Sequence, residues 1–117
     1  MLRTMLKSKI HRARVTGACV DYEGSVSIDS TLLDAADMIE YEQVHIYNVS
    51  NGERFTTYVI EGEPGSGVIC LNGAAARKVS VNDLVIICTY EAMDDSECRG
   101  HHAKNVFVDE NNHIKAR

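Results

Sequence analysis

Apolar and polar residues alternate most clearly in the middle of the chain. Val44 and Ile46 lead towards Ser50, Asn51-Gly52 follows, and Phe55 and Val59 mark a second run ending near Ile60. The pattern predicts two strands joined by a tight Asn-Gly turn, because these residues readily take the positive-φ backbone that short hairpin turns require. Strand side chains point alternately to opposite faces. Arg54, Thr56 and Tyr58 are therefore expected on one side, with Phe55, Thr57 and Val59 on the other. Shorter β-type runs recur at 9–15, 68–71, 84–90 and 105–108, separated by Gly, Asn and Asp. This rhythm suggests a small closed or nearly closed barrel. One short helix interrupts it. Asp29 or Ser30 can cap its start, Leu32, Leu33, Ala36 and Ile39 share one side, and Asp34 and Asp37 face away.

Length and composition narrow the picture. A chain of 117 residues with one proline, no repeat and no low-complexity tract reads as a single domain spanning 1–117. A net charge of −5 argues against a general nucleic-acid binder, whose affinity comes mainly from neutralising phosphates. The charge is unevenly spread, however. Arg3, Lys7, Lys9, His11, Arg12 and Arg14 are accompanied by no acid before residue 15, a basic strip able to hold an anionic substrate. No apolar stretch is long enough for a signal-peptide core or a bilayer span, so a cytoplasmic protein without membrane attachment is expected. Cys19, Cys70, Cys88 and Cys98 form no CxxC pair and read as buried free thiols.

Three groups of residues invite a chemical reading. Gly24-Ser25 joins a residue without a Cβ, which tolerates strained backbone, to a hydroxyl able to reach the preceding carbonyl. The same dipeptide recurs at Gly65-Ser66, inside a stretch that reads as a plain turn, so the pair alone carries no function. Cys98-Arg99-Gly100-His101-His102 offers thiolate and imidazole, but a structural zinc site wants four ligands in recognisable pairs, and no metal is expected. Asn72-Gly73-Ala74-Ala75-Ala76 follows a strand and is short of side chains. It is either a loop whose backbone NH groups face an anion or a tightly packed helical turn.

Several separated motifs, in order, resemble the bacterial aspartate 1-decarboxylase family of pyruvoyl enzymes, which supply β-alanine for pantothenate and coenzyme A. The likeness begins with Arg3-Thr4-Met5-Leu6, Lys9 and His11-Arg12, and continues through Tyr22-Glu23-Gly24-Ser25, Ile28-Asp29 and Leu33-Asp34-Ala35-Ala36. It resumes in Asn48-Val49, Asn51-Gly52, Arg54-Phe55 and Thr57-Tyr58, then in Asn72-Gly73-Ala74-Ala75-Ala76 and Val85-Ile86-Ile87. Beyond about Met93 it fades, so residues 98–102 and the tail carry no inference from the family.

The resemblance implies a mainly β fold, a six-stranded double-psi β-barrel with short helices, assembled as a homotetramer with sites at subunit boundaries. It also implies self-cleavage between Gly24 and Ser25 into chains 1–24 and 25–117, leaving a covalent pyruvoyl group on residue 25. That group would form a Schiff base with the substrate, L-aspartate. By the same resemblance Thr57 serves the oxyanion of processing, Tyr58 donates a proton during turnover, and Lys9 and Arg54 bind substrate carboxylates. Asn72, Gly73, Ala74 and Ala75, with Thr57, complete the substrate site. Cleavage unaided and cleavage with a maturation partner are both compatible with this reading. The residues alone leave two other functions open. A non-enzymatic recognition barrel predicts one intact chain, and a metal-binding regulator predicts stoichiometric transition metal.

Overall fold

A computed structural model describes residues 1–116, and the last residue of the expected domain lies outside them. The chain is mainly β. Its strands are β1 (Leu2–Arg14), β2 (Gly17–Cys19), β3 (Ser25–Asp29), β4 (Gln43–Asn48), β5 (Arg54–Gly62), β6 (Ile69–Asn72), β7 (Leu84–Asp94), β8 (Lys104–Val108) and β9 (Ile114–Lys115). Helix α1 (Ser30–Ala36), a 3-10 helix (Gly73–Lys78) and the four-residue α2 (Asp95–Cys98) connect them. Among the described residues nine strands stand where six were expected, in the hydrogen-bonded order β2-β6-β3-β5-β4-β7-β1-β8-β9. Two of them, β2 and β9, are short marginal pieces of three and two residues.

The sheet curls about one core. Ile10, Val26, Ile28, Val44, Ile46, Val59, Ile69, Leu71, Ile87 and Val106 are drawn from seven strands and belong to a single buried cluster, closed by Leu32 and Leu33 of α1. Parallel pairs β1/β8, β2/β6 and β3/β5 interrupt the antiparallel ladders. The far ends are tied by Asn112, whose Nδ2 donates to the carbonyls of Arg14 and Gly67, each at 2.8 Å, while its Oδ1 accepts from the Arg14 amide. One side chain thus satisfies three backbone groups, a high-stakes network in a dry place.

Three local expectations change. The hairpin is present, but Tyr47 pairs with Arg54 and the Asn48 amide bonds to the Glu53 carbonyl, so four residues, 49–52, form the loop. Side chains explain this. Asn48 Oδ1 accepts from the Ser50 amide and Asn51 Oδ1 from the Glu53 amide, which builds a wider turn around Gly52 at φ +80°. The slip is two residues, so the alternation of faces along β5 survives. Helix α1 is capped by Asp29 but ends at Ala36, where Asp37 takes a left-handed φ of +54°. Ile39 is consequently 69% exposed, and Met38 turns inward instead. The cysteines are free, as expected, but not uniformly buried: Cys88 and Cys98 are, Cys70 is half-buried and Cys19 is exposed.

Candidate active site

Strands β3 and β6 pair antiparallel, with Ser25 directly opposite Asn72. Val26, Ile28, Ile69 and Leu71 enter the core, so alternation sends Ser25, Ser27, Cys70 and Asn72 to the other side. Asn72 Nδ2 donates to Ser25 Oγ at 2.9 Å and to Ser27 Oγ at 3.3 Å. Its Oδ1 accepts from Cys70 Sγ at 3.5 Å. Ser25 is only 2% exposed. Its hydroxyl is therefore a held group and not a solvent-facing rotor.

Gly24 just before it is exposed, and its backbone rests on Gly73. A Cβ on Gly73 would lie 2.7 Å from both the Cα and N of Gly24 and 3.0 Å from the Tyr22 carbonyl oxygen, at a φ of +68° that disfavours any side chain. Gly24 itself has no positive φ, and a Cβ there would meet open space. The need for a missing side chain, expected at Gly24, falls on its neighbour in space. Beyond Gly73 the chain makes the packed helical turn and not an open loop. Ala74 and Ala75 of that turn line a cleft of about 220 Å³ together with Gly24, Phe55, Thr56, Thr57 and Lys78. Thr57 thus shares the cleft with the predicted scissile residue. Lys78, whose Nζ is 3.0 Å from Glu53 Oε2, is a cation at this cleft that no motif in the sequence had marked.

Lys9, Arg54 and Tyr58 are not among the residues of that cleft. They occupy the outer face of the sheet β1-β7-β4-β5, where Lys9 pairs with Cys88, Cys88 with His45, and His45 with Thr56. The Arg54 guanidinium carbon sits 4.2 Å from the centroid of the Tyr47 ring. Burial pushes the Cys88 thiol pKa up, although a hydrogen bond from Tyr90 and the charges of Lys9 and Arg54 oppose it. Both cations therefore act on one patch. Tyr58, 37% exposed, pairs with Gln43 and lies tilted against Tyr41 at 6.4 Å. The alternation that separates Thr57 from Tyr58 holds.

The carboxyl-terminal cluster is occupied otherwise. Cys98 Sγ donates to the carbonyls of Met93 and Asp94, and His101 Nε2 bonds the Leu6 carbonyl oxygen at 2.6 Å. Among the described residues no three His, Cys, Asp or Glu side chains gather as a metal site. None of their helices is long and apolar enough to cross a membrane.

A family model described as aspartate decarboxylase matches residues 1–115. The chain belongs to the aspartate decarboxylase family. The family match runs well past Met93, through the Cys98 and Asn112 regions where the separate motifs had faded. An aspartate 1-decarboxylase of Syntrophus aciditrophicus is 64% identical over 115 residues, covering 98% of this chain and 99% of the relative. Those of Syntrophomonas wolfei and Ralstonia pickettii are 61% and 59% identical, again over 97% or more of each chain. Membership makes the chain a decarboxylase, and around the buried Ser25 the structure gathers a held hydroxyl, a close-packed Gly24–Gly73 contact and the Ser27 and Asn72 side chains.

Proposed function

We propose that this protein decarboxylates L-aspartate to β-alanine and carbon dioxide, after cutting itself between Gly24 and Ser25 and converting Ser25 to a pyruvoyl group. The observation that carries the reading is the Ser25 hydroxyl, buried and held by Asn72, next to a Gly24 backbone seated on Gly73. In processing, Ser25 Oγ attacks the Gly24 carbonyl carbon and the C–N bond gives way to an ester. β-Elimination then frees Gly24 as a carboxylate, and water releases ammonia from residue 25 to leave the ketone. Asn72 fixes the hydroxyl, and Thr57 donates to the oxyanion that develops on Gly24.

The residues present fit that group. Residue 25 would carry it directly behind Gly24 of the cleft, which Ala74 and Ala75 also line. Its chemistry there is that of an electron sink for the pair released as the α-carboxylate departs. The remaining work belongs to side chains. Arg54 offers a planar fork and Lys9 a point charge for the two substrate carboxylates. Tyr58 returns a proton to carbon. Since Lys9, Arg54 and Tyr58 do not line the cleft of their own chain, the reading includes a homotetramer in which one copy's sheet face completes another's cleft. A cytoplasmic location and a role in supplying β-alanine for pantothenate and coenzyme A complete it.

An intact-mass spectrum of purified protein tests the central claim. Two species, 1–24 and a ketone-bearing 25–117, are expected. A single unmodified chain that nonetheless decarboxylates aspartate would sink the self-processing reading.

A further inference from the structure

Arg54 and Tyr47 lie opposite each other across β4 and β5, which sets the guanidinium over the ring. Among the described residues Arg54 joins no ion pair, so its positive charge is uncommitted and its position depends on that ring. The ring is itself braced. Tyr47 Oη and Tyr90 Oη are 2.7 Å apart, and the His45 ring packs edge-on against Tyr90 at 5.0 Å and tilted against Tyr47 at 6.5 Å. Three strands, β4, β5 and β7, thereby converge on one cation. We propose that Tyr90 is a positioning residue for substrate binding, its hydroxyl bracing the Tyr47 ring that holds Arg54 at the substrate carboxylate. The inference rests on the reading of Arg54 as a carboxylate ligand.

The physical logic is one of orientation. A guanidinium over an aromatic face gains from the ring's negative quadrupole only while the ring keeps its tilt, and a bidentate carboxylate contact needs the fork aimed before substrate arrives. Tyr90 stays a neutral phenol well above the ordinary range, because burial and the adjacent Tyr47 hydroxyl both oppose its ionisation. The brace is thus intact throughout neutral pH.

Steady-state decarboxylation of aspartate by the processed enzyme tests this with Y90F, Y47F, the double variant and R54A. Phenylalanine keeps each ring and removes only the shared hydroxyl contact. Y90F should cleave like the parent and raise KM about 3- to 10-fold, the range a lost hydrogen bond supports, with kcat changed by no more than about twofold. Y47F should do the same, and the double variant should be no worse than either single change, because both remove one interaction. A parent-like KM in Y90F while R54A raises KM would overturn the role of Tyr90. Multiplying effects in the double variant would overturn it too, and an R54A enzyme with unchanged KM would overturn both this proposal and the Arg54 reading beneath it.

Discussion

Gly24-Ser25 and Gly65-Ser66 are the same dipeptide in two settings. Ser66 is exposed, its Oγ donates to the Glu63 carbonyl at 2.6 Å and accepts from the Val68 amide, and Gly65 supplies the φ of +79° that the turn requires. The side chain of that pair bonds only within its own turn, and the one tie outward is the Gly65 amide donating to Asp29 Oδ1 at 3.0 Å. Ser25 is buried and bonded to a side chain 47 positions away, while Gly24 has an ordinary φ and leans on another glycine from the same distant segment. Local geometry thus explains the Ser66 hydroxyl and hardly explains the candidate nucleophile at all. What sets the candidate Gly-Ser apart from the turn Gly-Ser here is the pairing of β3 with β6.

The sharpest way to break the comparison is to remove each hydroxyl. Ser25→Ala is expected to give one folded, uncleaved and inactive chain by mass spectrometry. The fold should persist because Asn72 keeps its contact with Ser27 and loses about one hydrogen bond's worth of stability, roughly 1 kcal/mol. A cleaved or active Ser25→Ala protein would end the reading.

Thr57 and Tyr58 sharpen it further, since they are chain neighbours on opposite faces. Thr57→Val should stall as a single chain for want of an oxyanion donor. Tyr58→Phe should cleave normally and lose about 10²- to 10⁴-fold in turnover, the usual contribution of a positioned proton donor. Single-chain Tyr58→Phe, or full turnover once cleaved, would show that the assigned roles are wrong.

Gly73→Ala probes the close approach beneath Gly24. The added carbon collides with backbone and demands a φ that costs an alanine on the order of 1–2 kcal/mol. Slower cleavage by about tenfold or more is expected from timed mass spectra, whereas Gly65→Ala, equally positive in φ but with open space around it, should process at the parent rate.

Smaller effects belong to Asp29, which joins the two regions. It ends β3, caps α1 through the Thr31 amide, and accepts from the amides of Gly65 and Gly67 in the turn that carries Ser66. Burial raises its pKa, but the backbone amides outweigh burial and hold it below the ordinary 3.8. A lowered folded value means that the ionised carboxylate stabilises the protein above about pH 4, and that this contribution fades as pH falls through the lower folded value. Thermal unfolding from pH 6 to pH 3 should show the parent losing stability more steeply than Asp29→Asn. Equal slopes would exclude Asp29 as a source of acid sensitivity. Smallest of all, Ser66→Ala should shift stability by less than about 1 kcal/mol and leave cleavage untouched, as for a turn hydroxyl in water.

Sequence by itself determined the mainly β class, the hairpin, the start of α1 and the faces of β5, because each follows from periodicity or capping within a few residues. The order of separated motifs, as a resemblance, also named the candidate site residues. Tertiary structure decided what periodicity cannot reach. Ser25–Asp29 offers only Val26 and Ile28 as apolar residues among two serines and an aspartate, and its pairing with β6 sets Ser25 against Asn72. The four-residue loop after Asn48 arose from side-chain bonds that compete with a two-residue turn, and the left-handed Asp37 ended α1 before Ile39 could join the core. The demand for a bare backbone moved from Gly24 to Gly73, since only a contact between distant segments sets it. Tyr47, Tyr90 and Lys78 drew no notice in the sequence because nothing in their neighbours is unusual. Their significance comes from strands brought edge to edge, which fixes distances that residue spacing leaves free.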